Sequence, residues 1–443
     1  MRVHSLMIRC ILPFTLLTSA CSGTNASSAV KEGEAIGVTT LLRFWDENAG
    51  PSRTPYYKEL LRRFHEQYPN IEVQYTGIPL SLNKIKYDVA INANDMPDVA
   101  GLSETWIADY ASRGVLLPLD DYYERWPEHS QIGESFIAYN RSLAPDRKLY
   151  QLPNTFNFDV FWYRTDWFRE KGLSAPRTWD DFFTAAVQLT NPSLHRYGYS
   201  LRGADGSITQ LTSLLYAYSG ITEYFTNDGR CTINNPKHVE FLNRYISLYK
   251  ANTSKSDIAN GYKEMVAAFD SGRAGIIQHN FGSFNDHIQA LGQDKFGAEL
   301  LPPAQNGKRA MVTVANGYGI FKTSKNPDAA WTLLSFLSSK ESQTYWNANV
   351  GQMPTNTQAW DSEYIRKTPF LQEALAAMQD ERTGMVQVPF YLPNYSSLVK
   401  QQLEPELQDV LAGTLTVEQF LNDWAGLMEN AYVEYINKNN RNP

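Results

Sequence analysis

The sequence predicts an α/β protein of more than one domain. Three observations carry that reading. Apolar strand-like runs alternate with helical periodicity from residue 41 onward. The order strand, helix, strand recurs, as in chains that build parallel sheets. About 405 residues follow a polar N-terminal stretch, more than a single core usually serves.

The run LLRFWD at 41–46 has the apolar density of a buried strand. After the turn AGPSRTP, Leu60, Leu61, Phe64 and Tyr68 recur at three- and four-residue spacing along one helix face. Pro69 and Asn70 stop that helix, and the β-branched run IEVQYTGIP at 71–79 follows as a second strand. This is a βαβ unit, so the first sheet should be largely parallel. The next segment repeats the logic with a helix at 84–94, a strand at 98–102 and a helix at 104–112. Such sheets bind ligands beyond the carboxyl ends of their strands, which puts Asp46, Glu47, Asn48, Ser103, Glu104 and Trp106 at the expected mouth. Near the C-terminus, 398–435 reads as helices broken at Gly413 and Thr414, with Thr416 and Gln419 forming a capping box.

The N-terminus carries a different signal. Arg2 and Arg9 precede an apolar run at 10–17, and Thr18, Ser19 and Ala20 lead to Cys21. Charged start, apolar middle and small residues before a cut are the order of a secretory signal, read as residues 1–20. The apolar stretch is shorter than the roughly 20 residues a membrane-spanning helix needs. A Cys directly after the small residues resembles a bacterial lipobox, in which that thiol carries the lipid anchor; Thr18 departs from the usual Leu. Residues 21–37 are nearly free of apolar side chains and read as a lipidated tether. Loss of Cys10 with the signal and use of Cys21 for lipid leave Cys231 as the one remaining thiol, so no disulfide or Cys-based metal site follows. Residues 1–20 hold two Arg and no acid, so their removal makes the formal net charge of -7 more negative still. An acidic chain without a basic cluster argues against nucleic-acid binding.

Six phrases then occur in a familiar order: LLRFWDEN with LLRRFHEQYPNIEVQY; MPDVAGLSETWIADYASRGVLLPLDDY at 96–122; LYQLPNTFNFDVFWYRTDWFREKGLSAPRTWDDF at 149–182; AAFDSGRAGIIQHNFGSF at 267–284; ANGYGIFKTSKNPDAAWTLLSFLSSKESQ at 315–343; and VGQMPTN at 350–356. Together they resemble the type 1 extracellular solute-binding proteins, the family of maltose-binding protein. The resemblance implies a two-lobed, periplasmic-binding-protein-like fold of type II, with a three-segment hinge and a ligand cleft between the lobes. By the same analogy the chain crosses near 152–156, 312–316 and 350–354. Lobe one is then 38–152 plus 313–350, and lobe two 153–312 plus 351–443.

The function implied is that of an extracytoplasmic, membrane-anchored, substrate-binding lipoprotein of an ABC importer. Such a protein closes on a mono- or oligosaccharide, without cofactor or metal, and delivers it as a monomer to the transmembrane subunits of the permease. Sugars are held by rings that stack on pyranose faces and by carboxylates and amides that hydrogen-bond hydroxyls in pairs. Lobe one offers Asp46, Glu47, Asn48, Glu104 and Trp106. The first crossing offers Asn154 and Asn157, the latter standing where the family often has a carboxylate. Lobe two offers Arg202 and Asp205 in LRGADGS, then Gln210, Asn280 and Phe284, the last where maltose-binding protein places a stacking Trp on a loop. Asn316 and Tyr318 belong to the second crossing, and Tyr391 and Tyr395 to the late loop PFYLPNY.

Packing competes for several of these side chains. Trp45, Trp162 and Tyr163 read as core, Trp179 as a helix start capped by Thr178 or Asp180, and Asp120 with Asp121 as solvated acids at a helix start. No HExxH, GxSxG, Walker loop or CxxC pair is present. His279 beside Asn280 is the one pairing near the expected cleft. Acid pairs such as Glu47 and Asp205 leave a glycoside-active enzyme as an alternative. A surface adhesin, or a binder of a non-sugar solute such as a glycerol phosphate ester, are the others.

Overall fold

The computed structural model describes residues 39–392 and 394–439. The expected signal, Cys21 and the tether lie outside the described residues. Ten strands are described: β1 (Thr40–Asp46), β2 (Ile71–Gly77), β3 (Val99–Leu102), β4 (Leu152–Arg164), β5 (Tyr197–Ser200), β6 (Ala274–Asn280), β7 (Phe296–Leu300), β8 (Arg309–Ile320), β9 (Met353–Pro354) and β10 (Thr383–Val386). The first three are linked by α1 (Thr54–Gln67) and α2 (Asn83–Ala93), and α3 (Glu104–Ser112) follows β3.

α1 begins with a Pro in its first turn, where the missing N–H costs nothing, and buries Tyr57, Leu60, Leu61 and Phe64 on the periodic face. That face lets β1 pair in parallel with both β2 and β3. The first sheet is nevertheless mixed, which corrects the expectation of a largely parallel one. β8 inserts antiparallel beside β3, with Val99 opposite Ile320 and Leu102 opposite Gly317. The chain comes back to this sheet from the second lobe, so the returning strand runs the other way.

Both long strands serve two sheets, and this makes the molecule two-lobed. The first half of β4 pairs with β8, whereas Asp159 to Arg164 lie between β6 and β7, with β5 parallel outside β6. β8 pairs with β10 through its first four residues and with β3 through its last four. Thr155 faces Asn316 on one side and Pro354 of β9 on the other, so three chain segments run side by side there. A register shift between Pro153 and Thr155 bends β4 at this junction.

One core packs Phe44, Tyr57, Phe64, Leu333 and Trp346 on the first sheet, and another packs Trp162, Phe269, Phe281 and Leu371 on the second. A third runs without interruption from Trp45, Tyr87 and Trp106 to Phe182, Tyr395 and Trp424. The lobes are therefore pressed together. Capping follows the sequence: Thr178 and Asp181 form a reciprocal box before Trp179, and Thr416 with Gln419 does the same further on. Two readings are corrected. Tyr163 is only half-buried, and Asp120 is not simply solvated, because it accepts from the Leu149 N–H at 3.0 Å and from Arg141. Cys231 is buried, and burial pushes its thiol up to about 12. Among the described residues no helix is long and apolar enough to cross a membrane.

Candidate functional site

At the carboxyl end of β1, two adjacent carboxylates have different jobs. Asp46 is fully buried and committed: it accepts from the Tyr75 hydroxyl at 2.7 Å and the Asn48 N–H at 3.1 Å. Glu47 is buried with Oε2 lacking any hydrogen-bond partner. Burial, and then the charge of Asp46, raise its carboxyl to about 7. Glu104 opens α3 beyond β3 and repeats the pattern, with a buried, partnerless Oε2 and a carboxyl raised by burial to about 7. A helix N-terminus favours the anion, so desolvation outweighs the dipole here. Burial first, and then the charge of Glu104 among others, keep the Tyr139 and Tyr395 hydroxyls un-ionised.

Arg53, in the turn before α1, lies beside Glu47 and holds its guanidinium 4.8 Å from the Trp346 ring centroid. Its Nε and the Trp346 Nε1 lack partners. The crossing strands add Asn154 and Asn157, both buried with partnerless Oδ1 atoms, while Tyr318 shares a 3.1 Å hydroxyl contact with Tyr57. Glu47, Arg53, Asn154, Asn316, Tyr318 and Trp346 surround a space of only about 10 Å³. That is about the least volume that can hold one water.

The opposing wall comes from lobe two. Arg202 donates from Nε to the Asp205 carbonyl and lies 5.8 Å from the Tyr262 ring centroid, and Tyr262 stacks on His279 at 5.7 Å. Burial, reinforced by Arg202, depresses His279 to about 3, so it is a neutral interior ring. Its Nδ1 lies 3.0 Å from Ser283 Oγ. Burial first, and then the charge of Asp286, raise the Tyr262 hydroxyl, against the opposing charges of Arg202 and Arg53. Gln278 donates to Asp159 at 2.8 Å and to the Gln210 carbonyl at 2.9 Å, and keeps a partnerless Oε1.

Of the expected residues, Glu47, Asn154, Asn316 and Tyr318 line one small space, and the charge of Glu47 reaches Glu104; Asn157 and Arg202 are not among that lining. Other expected site residues have other work. Gln210 is buried and tied to the Gln278 carbonyl at 2.6 Å, Asn280 caps a 3₁₀ turn through the Gly282 N–H, and Asp205 is exposed and paired with Lys400 at 3.3 Å. Trp106 is interior, packed on Tyr87 and Tyr110. Phe284 corrects the loop reading: it is the first residue of a helix, Phe284–Leu291, and its ring packs on Trp162, Phe296 and Phe370. Tyr395 is buried against Phe390, and Tyr391 is half-buried against Tyr435.

Sequence reasoning missed Arg53, Tyr139, Tyr262, Gln278 and Trp346. Arg53 carried a usable signal, since it stands in the loop at the carboxyl end of the first strand, where ligand sites form. The others are brought in by elements remote in sequence. Among the described residues no group of three or more His, Cys, Asp and Glu could hold a metal ion.

The chain is 24% identical over 337 residues to a binding protein of Brucella abortus (strain 2308), covering 75% of this chain and 80% of that one. The maltose-bound MalE3 structure of T. maritima is similar with a TM-score of 0.74 at 23% identity, covering 88% of this chain and 99% of its own. UgpB of Mycobacterium tuberculosis, solved with glycerophosphocholine, gives a TM-score of 0.76 at 18% identity, covering 90% and 100%. These likenesses fix the two-lobed fold. Residues 50–344 match the family described as bacterial extracellular solute-binding protein, and the chain belongs to that family.

Proposed function

We propose that this protein captures a neutral carbohydrate or sugar alcohol between its lobes and delivers it, chemically unchanged, to the permease of an ABC importer. One observation carries the reading: buried polar atoms without partners converge on the junction of the lobes. Around one space they include acceptors (Glu47 Oε2, Asn154 Oδ1) and donors (Arg53 Nε, Trp346 Nε1), with Glu104 Oε2 in the field of Glu47. Buried polar groups are costly unless satisfied. A molecule dense in hydroxyls, each both donor and acceptor, satisfies such a mixed set.

Charge balance favours a neutral ligand over a phosphodiester such as that bound to UgpB. Arg53 lies in the field of Glu47 and Asp46, and Arg202 in that of Asp205, Asp159 and Glu404, so both guanidinium groups already have acidic neighbours that disfavour a phosphate. Lobe one as 38–152 plus 313–350, and lobe two as 153–312 plus 351–443, fit the strands that serve both sheets. Closure about those strands is the signal the permease would read. An extracellular solute-binding protein works outside the cytoplasm. Anchoring through a lipid on Cys21, and action as a monomer, complete the proposal.

The test separates binding from catalysis. Purified protein incubated with an oligosaccharide it binds should return that oligosaccharide intact. Release of reducing ends would replace capture with hydrolysis, for which Glu47 and Glu104 would be the acids to mutate.

A further inference from the structure

One surface of lobe one is apolar where it meets solvent. Among the described residues, four of the ten exposed large apolar side chains, Leu80, Leu82, Ile85 and Val89, fall within residues 80–89, so they form a patch rather than scattered exposure. Leu82, Ile85 and Val89 recur at three- and four-residue spacing and share one face of α2 and the 3₁₀ turn before it. They are 55%, 65% and 62% exposed. The opposite face is already committed to the core through Tyr87, Ala90 and Ile91. A helix that is apolar on two sides calls for cover on both.

The charges around the patch define its cover. Lys84 pairs with Asp88 at 2.7 Å and Asp109 at 3.7 Å, and Arg113 lies 3.6 Å and 3.5 Å from the same two acids. Lys86, four residues after Leu82 and three before Val89, stands exposed on the apolar face. Its ammonium lies 5.0 Å from the Trp45 ring centroid, and it makes no ion pair among the described residues. The patch therefore borders on one surplus positive charge, in a chain whose formal net charge is -7. Aliphatic side chains with an interleaved Lys suit the interface of an anionic bilayer, where the chains enter the acyl boundary and the ammonium stays among the head groups. The point of attachment agrees. The chain enters the fold at β1, and Arg43 of that strand pairs at 2.7 Å with Asp95, just past the end of α2. A tether of residues 21–37 extends to at most about 60 Å, so a lipid at its start keeps α2 within reach of the membrane.

We propose that the Leu82–Ile85–Val89 face of α2 lies on an anionic bilayer, as a peripheral contact in addition to the lipid anchor. The inference rests on the anchored reading above and adds an orientation. Asn83, the first residue of α2, donates from Nδ2 to the Glu47 carbonyl at 2.9 Å, so the helix begins beside the lobe junction. Contact along α2 sets that part of lobe one against the membrane that holds the permease. A few aliphatic side chains bind weakly and reversibly, so the contact orients the protein and does not replace the anchor.

The experiment is flotation of the purified mature chain, residues 22–443, which carries neither signal nor lipid and keeps every described element. It is mixed with excess vesicles, either of phosphatidylcholine alone or of equal parts phosphatidylcholine and phosphatidylglycerol. The chain should float with both and more strongly with the mixed vesicles. The double variant Ile85→Glu, Val89→Glu should lower partitioning about tenfold or more, through loss of two aliphatic side chains from the contact. Lys86→Gln should lower it about fivefold on the mixed vesicles alone, the scale of one Lys at an anionic surface. Leu194→Glu, at an exposed leucine of lobe two, is the control and should change nothing. All these side chains are exposed, so melting temperatures should hold and a loss reports the surface rather than the fold. Absence of flotation, or undiminished flotation of the double variant, overturns the inference and leaves the patch to a protein partner. The anchor reading stands or falls separately, because the chain that meets these vesicles has no lipid.

Discussion

Gly101→Ala tests the assignment of Glu47 without altering Glu47 itself. A methyl added at Gly101 would overlap Glu47 Oε2 and lie 3.0 Å from its Cδ, whereas the nearest backbone atom, Glu47 N, would be 3.6 Å away. The backbone therefore accommodates the substitution, and only the carboxylate must swing aside. Loss of a hydrogen bond to a charged group typically costs about 1.5 to 3 kcal/mol. Sugar affinity should accordingly fall about 10- to 150-fold. The melting temperature should move by no more than about 2–4 °C, the shift that ~1 kcal/mol produces in a domain of this order of size. Gly198→Ala is the contrasting control, since its methyl would overlap the Ala186 carbonyl oxygen and approach the carbonyl carbon to 2.5 Å, and so should destabilise the fold. Titration and thermal melting on both variants decide the matter. Wild-type affinity in Gly101→Ala would remove Glu47 from the site, and a large loss of stability would show that the backbone, not the carboxylate, had yielded.

Three further outcomes follow. Because burial raises Glu47 and Glu104 to about 7, a ligand whose hydroxyls donate to their carboxylates lowers both, releases protons and binds more tightly as pH rises from 5.5 to 8. His279, held near 3, stays neutral throughout that window. Without ligand the same raised acids favour the folded state fully below about pH 4.5, and that contribution is lost as pH rises through 7. Titration in buffers of different ionisation heat measures the protons directly, and affinity flat across the window refutes the coupling. Phe284→Ala, truncating a partly buried ring packed on Trp162, Phe296 and Phe370, should cost about 2 to 4 kcal/mol of stability and leave affinity within twofold. Lost binding at unchanged melting temperature would return Phe284 to the ligand. Cys21→Ala, in the chain expressed in a bacterium, should move the protein from the membrane to the soluble fraction with sugar affinity intact; retention in the membrane counts against the lipid anchor.

Local chemistry made much of the fold legible. Residues that decide an element within one turn of themselves, such as Thr178 with Asp181, Thr416 with Gln419, and the apolar face of α1, were readable because their partners are neighbours in sequence. The site was readable only to the level of the loop. Asp46 and Glu47 are adjacent at a strand end, and it takes Tyr75, 29 residues on, to engage the side chain of the first while the second keeps a partnerless Oε2. Arg53 lies under Trp346, which comes from a helix that packs there only after the chain has built the second lobe and returned. Phe284 shows the converse: family resemblance supplies an aromatic ring on a loop, whereas the ring stands at a helix start and packs on Trp162, Phe296 and Phe370 from three separate elements. The antiparallel β8 has the same origin, since strand direction depends on where the chain has been.

The central claim is that the partnerless polar atoms at the lobe junction receive the hydroxyls of a neutral carbohydrate. Its most direct test is calorimetric titration of the purified chain with a panel of neutral sugars, sugar alcohols and a glycerophosphodiester. At least one neutral member should bind one-to-one with about micromolar or tighter affinity, weakened in Glu47→Gln and Glu104→Gln. Binding of the glycerophosphodiester alone, unaffected by either substitution, would contradict it.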